Sequence, residues 1–217
     1  MSMKGFTTKR ASQKNNSHYS FANERWEKNR YSGFTLIETM IAVTILTFAV
    51  SGPLFTASRA IVAVQNARDQ LTASYLAQEG IEYVRWMRDN EYLLAWRSGG
   101  EGVSSAAWNA FLSGSGSASI AQCRSSACTL DPARPMGSGN AFSLMPCSGG
   151  SCTPLYLANG IYTQRSNIMG STQTPYTRTI QAVDVTANDV RIVSTVSWNF
   201  HGRLYAVTIA DHLTPWQ

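Results

Sequence analysis

Between Phe34 and Val64 the chain carries only two formal charges, Glu38 and Arg59, and it has no lysine after Lys28. Phosphate-cradling Gly-rich loops, paired-carboxylate motifs and dinucleotide-binding fingerprints are absent. Histidine is scarce: His18 lies in the N-terminal segment, His201 in a turn and His212 beside Asp211, none of them placed as a credible base beside a nucleophile. The expectation is therefore a protein that is not an enzyme, with no cofactor and no metal. Nucleic acid is also a poor fit. Past Gly33 eleven arginines face eleven acids, so the net charge of +5 resides in residues 1–33, which hold seven basic and two acidic residues. A chain balanced in this way gives little counterion release, and tight nucleic-acid binding is not expected; only a local patch of Arg124, Arg134 and Arg165 leaves room for it.

What is present begins with those first residues. They are polar, rich in Asn and Ser and without apolar periodicity, the composition of a segment that cannot fold alone. The roughly 20 residues between Glu38 and Arg59 then suffice to cross a bilayer as a helix. Basic residues before the span place the N-terminus in the cytoplasm and the remainder outside. A secretory signal cut within "SGPLFTAS" and an ordinary single-span anchor are the simpler alternatives. Neither explains a carboxylate inside the apolar run.

That carboxylate sits in "SGFTLIETMIAVTIL", which resembles the processing site of type IV prepilins and type II secretion pseudopilins. The resemblance implies cleavage between Gly33 and Phe34 by a membrane prepilin peptidase, N-methylation of Phe34, and retention of the apolar segment as anchor and assembly helix. It implies other pilin or pseudopilin subunits and the inner (cytoplasmic) membrane as partners. Cleavage would leave a protonatable amine on Phe34, and an unpaired carboxylate in lipid is costly. Glu38 is therefore expected to meet the Phe34 amine of a neighbouring subunit and set the axial register. The same amine lies one turn away within a single chain, so an intramolecular contact stays open.

The helix is expected to run from Phe34 to about Asn90. Leu76, Ala77, Gly80, Ile81, Val84 and Met87 recur at helical spacing and form a stripe that can pack on a sheet. Gln65, Arg68, Thr72, Glu79 and Glu82 lie mostly off it, with Glu82 and Arg85 spaced for a weak ion pair. Gly52 and Pro53 predict a kink or a locally unwound stretch. The resemblance implies that filament helices lose regular hydrogen bonding here, and a simple kink, its freed carbonyl met by a neighbouring group, serves equally well in an isolated chain.

From Arg97 to about Thr153 the composition shifts to Gly, Ser, Ala and Pro, read as a long surface loop region with one short helix near "SSAAWNAFL". It holds all four cysteines in two C-x4-C pairs. Outside the cytoplasm these read as disulfides, Cys123 with Cys128 and Cys147 with Cys152, in preference to a four-thiolate zinc site, whose pairs are usually tighter.

Residues 154–217 read as antiparallel sheet. Asn159-Gly160 in "LYLANGIYT" is a hairpin signal. In "VRIVSTVSWNF" apolar and polar residues alternate as in a half-buried strand, and His201-Gly202 permits a two-residue turn that pairs Trp198 with Tyr205 and Val196 with Val207. A turn at Ala187-Asn188-Asp189 would place Ile180 opposite Val196. Trp216 is expected to cover an edge of the core.

The expected fold is α+β: a long N-terminal helix, half membrane anchor and half amphipathic, packed on a C-terminal antiparallel β-meander, type IV pilin-like. The expected parts are a removable leader (1–33), the membrane and assembly half of the helix (34–64) and an exported headpiece (65–217). The leading functional reading is a structural subunit, a minor type IV pilin incorporated into a pilus-like filament. A type II secretion pseudopilin is the alternative of the same class. A membrane-tethered extracellular module that binds a surface, sugar or DNA is the alternative of another class. The long leader and residues 97–153 depart from the resembling pattern.

Overall fold

A computed structural model of the chain describes residues 33–99, 102–114, 118–137, 142–147 and 152–215. Leader residues 1–32 and Trp216 lie outside the described residues. The chain divides between Gly52 and Pro53 into two units.

In the first unit, helix α1 (Leu36–Ser98) starts beside Thr35, whose hydroxyl and carbonyl both accept from the Glu38 amide, at 3.3 and 3.0 Å. Thr39, Thr44, Thr47 and Ser51 each donate their hydroxyl to the carbonyl three residues back. Every hydroxyl in this stretch is thus satisfied within the helix, as an apolar solvent demands. All residues from Gly33 to Gly52 are exposed.

The second unit carries the rest of α1. In the single chain helix α1 does not break at Gly52 and Pro53. Proline removes one hydrogen bond, and the cooperative turns on either side outweigh that loss. Nor does α1 stop near Asn90, as "EYLLAWRS" contains no breaker and the helix runs on to Ser98, before Gly99 at φ 68°.

Its stripe of Leu76, Ala77, Gly80, Ile81, Val84 and Met87 is buried, and Ala73 extends it. This stripe packs on a five-stranded antiparallel sheet. In spatial order the strands are β2 (Leu144–Pro146), β1 (Cys128–Leu130), β6 (Tyr176–Thr186), β7 (Asp189–Phe200) and β8 (Arg203–Leu213). A smaller sheet joins β4 (Ile161–Thr163), β3 (Tyr156–Ala158) and β5 (Thr172–Gln173). Two left-handed residues close the β3–β4 and β7–β8 hairpins, Asn159 and Gly160 at φ 52° and 80°, His201 and Gly202 at φ 50° and 78°. These are the signs that a two-residue turn of the hairpin type requires. The β7–β8 register pairs Trp198 with Tyr205 and Val196 with Val207.

The β6–β7 register departs from expectation. Ile180 faces Ser194, and Arg178 takes the place opposite Val196. The turn is two residues, with Thr186 opposite Asp189, and an irregularity between Asp184 and Thr186 adds a second step of shift. A shift of two preserves the side-chain face, so Ile180 stays in the core.

The larger correction concerns residues 97–153. The short helix expected near "SSAAWNAFL" forms, but the described residues around it are not a surface loop region. Helix α2 (Val103–Ser113) inserts Trp108 and Phe111, the turn of α3 (Gln122–Ser125) brings in Cys123, and β1 and β2 extend the sheet with Cys128, Leu130 and Leu144, all buried in the main cluster. Strands of three residues carry too little alternation to be read beforehand.

Candidate functional site

The processing motif occupies the start of the first unit. Gly33 and Phe34 precede the first helical turn, with Phe34 79% exposed, and Glu38 lies on that turn, also exposed. Thr35 and Glu38 stand three apart, the spacing of a capping box, a signal that sequence reading missed. Thr35 holds the first turn, and a carboxylate there is favoured by the positive end of the helix dipole. Leu36, Ile37, Met40, Ile41, Val43, Ile45, Leu46 and Phe48 are all more than half exposed, with no acid or base among them but Glu38. Among the described residues one helix is long and apolar enough to cross a membrane.

The headpiece is held by polar groups that sequence reading did not find. Arg178 is fully buried between α1 and the sheet; it donates to the carbonyls of Leu76 and Leu130, at 3.1 and 2.8 Å, and pairs with Glu79. Burial pulls its guanidinium below the ordinary arginine range, and the Glu79 carboxylate opposes that pull. Asp131, also fully buried, accepts from the Thr163 hydroxyl at 2.9 Å and the Ala133 amide at 3.1 Å, and it pairs with Arg134 and Arg165. This ties the second sheet to β1. Glu91 is buried and accepts from the Ala118 amide at 2.7 Å. Arg124 pairs with Asp184, so the three arginines proposed as a patch are each committed to an acid.

Arg85 pairs with both Glu82 and Asp211, and the hydrogen bond to Asp211 raises its guanidinium further. The Tyr176 hydroxyl donates to Asp69 at 2.9 Å. Burial, then that carboxylate, pushes the phenol up to about 12. His212 contacts Asp189 across the strands rather than Asp211, which is taken by Arg85, and His201 sits in the β7–β8 turn. The sulfurs of Cys123 and Cys128 are bonded to each other, as are those of Cys147 and Cys152, with Cα atoms 5.3 and 4.7 Å apart. Among the described residues no group of three or more His, Cys, Asp or Glu could hold a metal.

An exposed apolar helix with an acid on its first turn, followed by a helix-on-sheet headpiece, suggests a membrane-anchored α+β protein. Residues 28–52 match the family model of the prokaryotic N-terminal methylation motif. The match supports a type IV pilin-like or pseudopilin protein, and the α+β architecture is consistent with the type IV pilin fold. Proteins bearing this motif are structural, and the motif implies processing by prepilin peptidase and assembly with other pilin subunits. No curated protein and no solved structure matches the chain.

Proposed function

We propose that the chain is a minor type IV pilin, cut between Gly33 and Phe34 by prepilin peptidase, methylated on Phe34 and inserted into a pilus-like filament through residues 34–64. The leader, residues 1–33, stays in the cytoplasm, and the headpiece, residues 65–217, stands outside the inner membrane before entering the filament. The observation that carries this reading is the methylation motif on a helix whose residues up to Val64 are all exposed in the single chain. Such a surface needs lipid before assembly and neighbouring helices after it. Two disulfides in the headpiece suit an oxidising destination.

Glu38 pairs with the methylated Phe34 amine of a neighbour, and Gly52 with Pro53 marks where the packed helix bends. The test is incorporation: with Glu38→Val, processed protein accumulates in the membrane fraction while the sheared-filament fraction loses it. Incorporation at the wild-type level would refute the role of Glu38. Recovery of the wild-type chain only in membranes, with impaired export of secreted proteins on its deletion, would favour a secretion pseudopilin instead. Filaments and export both unaffected by deletion would point to a tethered binding module.

A further inference from the structure

The end of the headpiece nearest the apolar run carries exposed arginines beside an exposed leucine. Val190 and Ile192 pack with Ile81, Val84 and Met87, whereas Val196 and Trp198 pack with Ala73, Leu76 and Ala77. Strand β7 therefore travels back along α1 toward lower residue numbers. Phe200, at its end, lines a groove with Gln65, Arg68 and Asp69, so the β7–β8 turn lies at the level where the apolar run gives way at Val64. From Arg59 to Gln65 is about 9 Å of helix.

Among the described residues, exposed arginines without an acid partner stand at both ends of this axis, Arg97 and Arg191 at the far one and Arg59, Arg68 and Arg203 at this one. Arg85, Arg88, Arg124, Arg134, Arg165 and Arg178 all have carboxylate partners. Among the described residues no acid lies within ion-pairing distance of Arg59, Arg68 or Arg203, and all three are exposed. Asp69, the one acid nearby, is engaged by Tyr176. Beside Arg203, Leu204 is 76% exposed, the most exposed large apolar residue of the main sheet, and it sits opposite Asn199.

We infer that this basic and apolar rim, Arg59, Arg68, Arg203 and Leu204 with Phe200, rests on the headgroups of anionic lipids while the chain is a membrane monomer. The inference rests on the membrane reading of residues 34–64. Headgroups occupy roughly 5–8 Å beyond each face of the hydrocarbon core, and extended arginine side chains bridge the remaining few ångströms to the phosphates. Unpaired arginines are what a negative surface potential attracts, and an exposed leucine beside them gains contact with the acyl boundary. The contact would hold the headpiece in one orientation before assembly.

The experiment uses the full chain in nanodiscs of phosphatidylcholine with or without phosphatidylglycerol, carrying a photoreactive benzophenone amino acid at Leu204 or, as control, at Asn188 in the β6–β7 turn. Expected is a lipid adduct on the Leu204 peptide in the anionic discs, severalfold above that at Asn188 and reduced in a background of Arg68→Ala with Arg203→Ala. Deuterium exchange of the unsubstituted chain should show the 198–205 amides protected in anionic discs and less so in neutral ones. Equal adducts at both positions, a cross-link to a second copy of the chain in place of lipid, or exchange indifferent to lipid charge would each overturn the inference while leaving the anchor intact. A chain that does not co-elute with the discs at all would overturn the membrane reading together with it.

Discussion

Glu79→Gln replaces one oxygen by an amide and should nevertheless be among the more damaging changes in the headpiece. Its partner Arg178 is fully buried, and apart from Glu79 it meets only the carbonyls of Leu76 and Leu130, with its Nε unpartnered among the described residues. Breaking a buried ion pair by removing one charge costs about 3–5 kcal/mol. Glu79 is itself 43% exposed, so water retains access to that side of the pair and the lower end applies, about 2–3 kcal/mol. Arg178→Met has a different balance: it leaves two buried carbonyls without this donor, at about 1–3 kcal/mol each, but also removes a desolvated cation, for a net loss of similar size. The decisive variant is the double one. Once the cation is gone, Glu79 is an ordinary surface group, so Glu79→Gln should add almost nothing to Arg178→Met. Thermal unfolding of the full chain in detergent, followed by near-ultraviolet circular dichroism, should show each single variant melting about 5–10 °C lower. The double variant should match Arg178→Met. Additive losses, or a Glu79→Gln variant that melts with the wild type, would refute the claim that the carboxylate neutralises a buried charge.

Alkaline stability should depend on Tyr176. Its phenol is raised from 10.0 to about 12, so its contribution is complete below pH 10 and is lost as pH rises through about 12, amounting to about 2–3 kcal/mol. Tyr176→Phe should flatten that part of a urea-midpoint profile; the raised phenol of Tyr83 will leave a residual slope. Gly80 brings α1 against the sheet: a Cβ there would meet Ser194 Oγ at 2.5 Å and Ile180 Cδ1 at 2.8 Å. Gly80→Leu should cost about 3 kcal/mol or more by overpacking, read as a lowered melting temperature, whereas Gly80→Ala should be milder because better helix propensity returns about 1 kcal/mol. The two disulfides close rings of equal size, worth about 2 kcal/mol each by loop entropy. Cys123 and Cys128 are fully buried in the core, so replacing that pair with alanine should lower the urea midpoint more than replacing Cys147 and Cys152.

Much of this architecture was legible beforehand because its signals are local and repeated. The stripe from Leu76 to Met87 spans several turns, and the alternation from Val190 to Trp198 runs long enough to specify a face. Asn159-Gly160 and His201-Gly202 announce their turns by the left-handed conformations those residues tolerate. The β6–β7 register was missed because the turn is one residue shorter than expected and because a bulge has no sequence mark of its own. In residues 97–153 the short helix carrying Trp108 and Phe111 was legible, but its burial and the strands that bring in Leu130 and Leu144 were not, because these segments are too short to show a period. Arg178, Asp131 and Glu91 were invisible for another reason. Charged residues are buried only when a distant partner meets them, and nothing in their neighbourhood of the chain names that partner. At the candidate site, Gly33, Phe34 and Glu38 were read from a motif whose chemistry is contiguous in sequence, while the cap at Thr35 went unread although its spacing to Glu38 was on view.

The account as a whole turns on where the mature chain begins. Intact mass and N-terminal fragmentation of the protein purified from membranes measure that directly. A chain starting at Phe34 and carrying one additional methyl group is the result predicted here. A chain that retains residues 1–33, or one cut after the apolar run near Ala57, would contradict it.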